Sequence, residues 1–141
     1  MIVSGFPFAA SRSHALAAAL AALEKQAEDV VILELCAVST VTDYFLLCTA
    51  DNARHLDALN DHLTAVLLQR GCRVEHTEGA SAKAVRGGLS REPSWILMDC
   101  GDLVVHLFDR QARQFYRIED LWADAPRVPV VPRETPKPSV G

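Results

Sequence analysis

The run from Trp95 to Phe108 (WILMDCGDLVVHLF) constrains the fold of this chain more than any other stretch. Two apolar segments flank Cys100-Gly101, and glycine supplies the positive φ that a two-residue hairpin turn requires. The spacing predicts a β-hairpin about Cys100-Gly101, with Asp99 facing Asp102, Leu97 facing Val104 and Trp95 facing His106. In that register Trp95, Asp99, Asp102 and His106 share one face, while Ile96, Met98, Leu103 and Val105 point into the core. Groups able to do chemistry or recognition thus converge on one side of an apolar ribbon, and function is expected there.

With 141 residues, half of them apolar, the chain has the size and composition of one domain with short tails. Its formal net charge of -4 argues against gripping nucleic acid by the phosphates, and suits a basic protein partner or a small ligand. Cys36, Cys48, Cys72 and Cys100 form no C-x-x-C pair, so they read as buried free thiols in a reducing compartment, and their spacing supports no zinc site. No apolar run approaches the roughly 20 residues of a membrane span. The first 23 residues lack Asp and Glu, as transit peptides do, but Leu16, Leu20 and Leu23 recur at helical spacing and run straight into the domain.

Along the chain, residues 1–12 read as a flexible extension, residues 13–128 as the domain, and residues 129–141 as a proline-rich disordered tail. Ser13 is placed to cap a helix reaching Gln26, with Leu16, Leu20 and Leu23 as its apolar stripe. Strands are expected at Asp29–Cys36 and Asp43–Thr49, followed by a helix from about Asn52 to Arg70 with Asp51 as its cap and Gly71 as its terminator. Arg73–Glu78 reads as an edge strand, and residues 79–94, with Lys83, Arg86 and Arg91, as a long functional or disordered loop. After the hairpin, a last helix begins near Asp109 and buries Phe115, Ile118, Leu121 and Trp122. The expected architecture is α/β (α+β): one mixed five-stranded sheet flanked by helices.

Asp99, Asp102 and His106 could hold a divalent metal or act in acid–base chemistry, because neighbouring carboxylates ionise together only with a cation or open water between them. A nucleotidyltransferase-like enzyme would use Asp99 and Asp102 in this way, although no phosphate cradle accompanies them. The bland alternative leaves both as solvated turn residues. His55 and His62 lie seven positions apart, about 10 Å along a helix, too far to share one zinc ion. Asp43 and Tyr44 stand where a loop enters a strand, either capping it locally or joining the rim of the hairpin's polar face. Trp95 either completes the core or anchors a protein partner. Ser39, Ser81 and Ser94 lack the glycine elbow of a Ser-His-Asp hydrolase.

Taken in order, Asp29–Leu33, Ser39–Phe45 (STVTDYF), Arg54-His55, Trp95–Asp99, Gly101–His106, Arg113–Tyr116 (RQFY) and Leu121-Trp122 resemble the ribosomal silencing factor (Iojap-like) family across residues 15–128. The resemblance implies a nucleotidyltransferase-like core without enzymatic activity, metal or cofactor. It further implies a cytoplasmic or organellar translational repressor that binds the large ribosomal subunit through ribosomal protein fourteen and blocks docking of the small subunit. Trp95 would make the main contact, with Asp43, Tyr44, Asp99, Asp102 and His106 on the same surface. A homodimer is also implied, but neither DNA nor a membrane; the basic 79–94 loop, longer than the family pattern, either adds minor ribosomal RNA contacts or obstructs the site. Three features depart from the family pattern: the long 79–94 loop, Cys100 in place of a bulky apolar residue, and Ala50–Ala53 in place of a Gly/Ser-rich start to the helix.

Overall fold

The computed structural model describes residues 6–37, 42–79 and 95–130, with side chains from residue 11 onward. The elements are α1 (Phe6–Glu24), β1 (Glu28–Glu34), β2 (Tyr44–Ala50), α2 (Ala53–Gln69), β3 (His76–Gly79), β4 (Trp95–Asp99), β5 (Leu103–Asp109), α3 (Arg110–Tyr116), α4 (Ile118–Leu121) and β6 (Arg127–Val128). They form one six-stranded sheet in the order β3-β4-β5-β2-β1-β6. Only β2 and β5 run parallel; the other neighbours are antiparallel. The mixed α/β class expected from sequence is therefore present, with one strand more. The extra strand is the short β6, which pairs Val128 with Ile32 where a disordered stretch was expected to begin almost at once. Ser39, the 80–94 part of the long loop with Lys83, Arg86 and Arg91, and the tail from residue 131 lie outside the described residues.

One face of the sheet packs against α1 and α2. Ile32, Leu46, Ile96, Met98, Val105 and Leu107 meet Leu56, Leu59, Leu63 and Leu67 there, the stripe expected of the long helix. Its helix-facing partner is different from the one read in sequence. Helix α1 starts at Phe6, ahead of Ser13, and buries Ser11 and the alanines Ala15, Ala18, Ala19 and Ala22, while Leu16 and Leu20 are only partly covered. Small side chains let the helix axis approach the sheet closely, so the leucines are displaced to the rim, where they line a shallow groove with Arg12 and Arg70. Alanine carries a weaker apolar signal than leucine, and the periodicity of Leu16, Leu20 and Leu23 therefore points to the wrong side of this helix.

Helix α2 is capped by Asn52, whose side chain accepts the His55 N–H at 2.8 Å, and Asp51 instead accepts from Arg110 at 2.7 Å. At its other end Gly71 adopts φ +80°. The Cys72 N–H reaches back to Leu67 O at 2.8 Å and the Gly71 N–H to Leu68 O at 3.0 Å. This is a Schellman closure, which needs a left-handed residue at the position Gly71 holds.

The opposite face buries Leu33, Leu35, Leu47, Phe108, Ala112 and Ala125. Asp109, near which the last helix was expected to begin, caps α3 by accepting the Ala112 N–H at 2.7 Å. The final helix is broken, however. Arg117 sits in the left-handed region (φ 49°), separating α3 from α4, and the turn leaves Phe115 67% and Leu121 75% exposed, whereas Ile118 and Trp122 pack on the core. Arg113 holds the two pieces together. Its guanidinium grips Glu119 with two bonds of 3.0 Å, donates to Thr49 Oγ1 at 2.8 Å, and lies over the Phe108 ring. The bond from Arg113 pulls the Glu119 carboxyl below its ordinary range. Arg113→Ala should lower unfolding free energy by about 2 kcal/mol, the usual cost of stranding charge-assisted hydrogen bonds; urea denaturation followed by circular dichroism measures it.

Candidate partner-binding surface

The β4–β5 hairpin forms, but its turn is displaced by one residue. Cys100 donates to Leu103 O at 2.8 Å, leaving Gly101 (φ +88°) and Asp102 as the two turn residues. Trp95 consequently pairs with Phe108, Leu97 with His106 and Asp99 with Val104. Glycine is accepted at the first position of a type II′ turn as readily as at the second position of a type I′ turn. The Asp99 carboxylate favours the observed choice by accepting the Gly101 N–H at 2.8 Å.

This shift divides the residues proposed from sequence. Trp95, Asp99 and His106 remain on one face, with Trp95 and His106 now diagonal neighbours. Asp102 leaves them, because its carboxylate accepts the Ser11 hydroxyl of α1 at 2.6 Å. Asp43 joins Asp102, lying 3.3 Å from the same Ser11 hydroxyl. Tyr44 is a core residue, only 2% exposed, and burial raises its pKa. A rim uniting Asp43, Tyr44 and the hairpin's polar face is therefore not what the chain builds. Nor do Asp99 and Asp102 converge as a two-carboxylate metal site would require. His55 is used structurally: its ring bonds the Asp51 N–H at 2.9 Å and the Lys25 carbonyl at 2.7 Å, tying the start of α2 to the end of α1.

The face that keeps Trp95 is aromatic. The Trp95 indole N–H donates to His106 Nδ1 at 3.1 Å, and the two rings stack at 5.6 Å. Tyr116 of α3 lies 4.5 Å from Trp95 between ring centres, and Phe45 of β2 meets His106 edge-on at 4.5 Å. Because the indole can only donate, the accepting Nδ1 is unprotonated and the imidazole proton sits on Nε2. His106 is 3% exposed and its Nε2 has no hydrogen-bond partner among the described residues. Half-buried Trp95, Phe45, Leu97 and Asp99 surround this point, and Phe115 and Tyr116 border it from α3. Sequence reasoning missed Phe45 and Tyr116. Strand alternation carried the signal: once Tyr44 faces the core, Phe45 must face the other way. A mixed-charge cleft of about 500 Å³, lined by Asp29, Arg113, Arg117, Glu119 and Arg127, lies elsewhere and contains none of the residues proposed from sequence.

Burial pushes the His106 pKa down to about 4, and no charged side chain contributes. An unfolded histidine takes up its proton near pH 6.5. Between those values the unfolded chain binds a proton that the folded domain refuses, so stability is lost as pH falls through this window. The effect is on the order of 3 kcal/mol. In urea titrations, His106→Leu should show a smaller stability loss than wild type from about pH 7 to about pH 4. Parallel losses in the two proteins would contradict a buried neutral imidazole.

Fold and surface define an α/β domain with a single mixed sheet whose uncovered face presents aromatic rather than ionic groups. Residues 9–140 match the family described as "Ribosomal silencing factor during starvation". The chain is 35% identical over 109 residues to the ribosomal silencing factor of Bacillus subtilis, covering 77% of this chain and 84% of that protein. It is 33% identical over 105 residues to that of Halalkalibacterium halodurans, covering 74% and 81%. A Chromobacterium violaceum crystal structure matches with a TM-score of 0.68 at 22% identity over 92% of both chains, and a Bacillus halodurans structure with 0.61 at 31% identity over 79% and 92%. The chain belongs to the ribosomal silencing factor family, as the resemblance read from its motifs implied.

Proposed function

We propose that this protein is a non-catalytic translational repressor that docks on the large ribosomal subunit and occupies the face where the small subunit would join. Ribosomal protein fourteen is the docking partner, contacted by the Trp95 face of the sheet. The observation that carries this reading is the half-buried Trp95, braced by His106, Phe108 and Tyr116 beside the solvent-facing Phe115. A tryptophan held in one orientation loses little entropy on binding, and such residues dominate interface energetics. Asp99 on the same face and a net charge of -4 suit a basic ribosomal protein.

On this reading the polar groups set register while the aromatic cluster supplies affinity. On the same reading Asp43, Asp102 and Tyr44 take no part in the contact; Asp43 and Asp102 turning to Ser11, and the burial of Tyr44, support leaving them out. Protein action is required wherever the target ribosomes are, in the cytoplasm or in an organelle; relatives include the chloroplastic Iojap protein of Zea mays, 29% identical over 113 residues. Minor ribosomal RNA contacts from residues 79–94 and self-association through the same open face are further parts of the proposal.

Purified protein mixed with separated ribosomal subunits should co-sediment with the large subunit and reduce the yield of joined ribosomes. Trp95→Ala, checked for folding by circular dichroism, should weaken that association at least about tenfold, as hot-spot truncation does. Undiminished sedimentation of the variant would place the contact elsewhere on the domain.

A further inference from the structure

The turn end of the β4–β5 hairpin gathers a second set of groups. His14 comes from α1, Cys72 from the Schellman turn after α2, and Asp102 from the β4–β5 turn, yet one ligand atom of each lies within 4.8 Å of the others. Cys100, in the same hairpin, lies close enough to Cys72 for each thiol to raise or lower the other's pKa, and brings a second sulfur beside the cluster. We propose that His14, Cys72, Cys100 and Asp102 form a binding site for a zinc-class transition-metal ion that staples α1, the end of α2 and the β4–β5 turn together.

Several independent features support this assignment. Among the described residues the buried His14 Nδ1 has no hydrogen-bond partner, which is costly unless something accepts its lone pair or proton. Two carboxylates, Asp43 and Asp102, approach the single hydroxyl of buried Ser11, and among the described residues neither takes part in an ion pair. A cation beside Asp102 would offset that negative charge. Ser11, donating to Asp102 Oδ2 at 2.6 Å, orients the carboxylate as an outer-shell partner does for a ligand. Two sulfurs, one imidazole and one carboxylate are donors of the kind zinc prefers in four-coordinate sites, and a set that disfavours magnesium and calcium.

The separations also fit. Bonds of about 2.0 to 2.3 Å around zinc place neighbouring ligand atoms roughly 3.3 to 3.8 Å apart. For His14, Cys72 and Asp102, whose ligand atoms already lie within 4.8 Å of one another, a contraction of about 1 Å reaches that geometry. Without an ion both thiols are protonated, since burial raises Cys72 and drives Cys100 up to about 12. On metal binding each thiol releases its proton to solvent and coordinates as thiolate, while His14 coordinates as neutral imidazole. Sequence spacing argued against zinc because the cysteines are far apart in the chain; the fold brings two of them together.

The full chain, purified with chelator and a phosphine reductant and then freed of chelator, should be titrated with Co²⁺ alone. One equivalent should produce thiolate-to-cobalt charge-transfer absorption in the near ultraviolet and tetrahedral bands in the visible. Zn²⁺ should bleach both and raise the melting temperature. Cys72→Ser and Cys100→Ser should each remove about half of the charge-transfer intensity, and His14→Gln, at a partly exposed position, should keep it while weakening binding about tenfold or more. Cys36→Ser should change nothing. Absence of charge-transfer absorption in the wild-type protein, or its full survival in both Cys72→Ser and Cys100→Ser, would overturn the proposal. So would unchanged Co²⁺ affinity in His14→Gln, a variant that serves even if a cysteine variant does not fold. None of these readouts depends on ribosome binding.

Discussion

Seven residue pairs, from Tyr44 with Leu103 to Ala50 with Asp109, join β2 to β5 in parallel at the centre of the sheet, and every other element is placed by that ladder. A parallel pair cannot be closed by a tight turn and needs a long crossover. Here the crossover contains α2, β3 and β4, so β4 returns antiparallel beside β5 and β3 becomes the edge. Because the ladder is central, both faces of β2 and β5 are covered: Leu46, Cys48, Val105 and Leu107 on one side, Leu47, His106 and Phe108 on the other. This is why a histidine in a run of aliphatic residues ends up without access to water. The partner-facing aromatic surface is a by-product of the same constraint, since α3 and α4 are too short to cover the whole second face.

Much of this organisation is legible in the chain because local chemistry and global packing agree. The leucine stripe of α2, the glycine that ends it, the start of the last helix near Asp109 and the alternation along β4 and β5 each have one physical reading. What was not legible depends on contacts made at a distance. Alanine at the helix–sheet seam gives no strong pattern, so α1 was assigned its outer face. Gly101 is compatible with either of two turn positions, and the shift of one residue sends Asp102 to α1 and away from Trp95. The left-handed Arg117 that splits the last helix has no glycine or asparagine to announce it.

The two ends of the sheet differ in chemical character. Around Trp95 the groups are aromatic and hydrogen-bonded to each other, with the imidazole held neutral, which suits contact with a protein surface. Around Ser11 they are acidic and sulfur-bearing, which suits a cation. Asp99 and Asp102, close in sequence and at first sight a catalytic pair, turn their carboxylates to different partners, the Gly101 N–H and the Ser11 hydroxyl. Counting polar residues on a ribbon overstates what a site can do unless the register is known to the residue.

The carbonyl of Asp102 accepts the N–H groups of both Asp43 and Tyr44 at 3.1 Å, so the turn of the β4–β5 hairpin is also the first rung of the parallel ladder. That double use has a kinetic meaning. A hairpin forms from local contacts within about 1–10 μs, whereas pairing strands far apart in sequence must first overcome loop-closure entropy. A hairpin closed at Gly101–Asp102 offers β2 an acceptor already fixed in direction, and the ladder can then zip from Tyr44 towards Ala50 without searching its register. A turn closed one residue earlier would present that carbonyl differently, so the hairpin turn ties the register of the parallel ladder to its own.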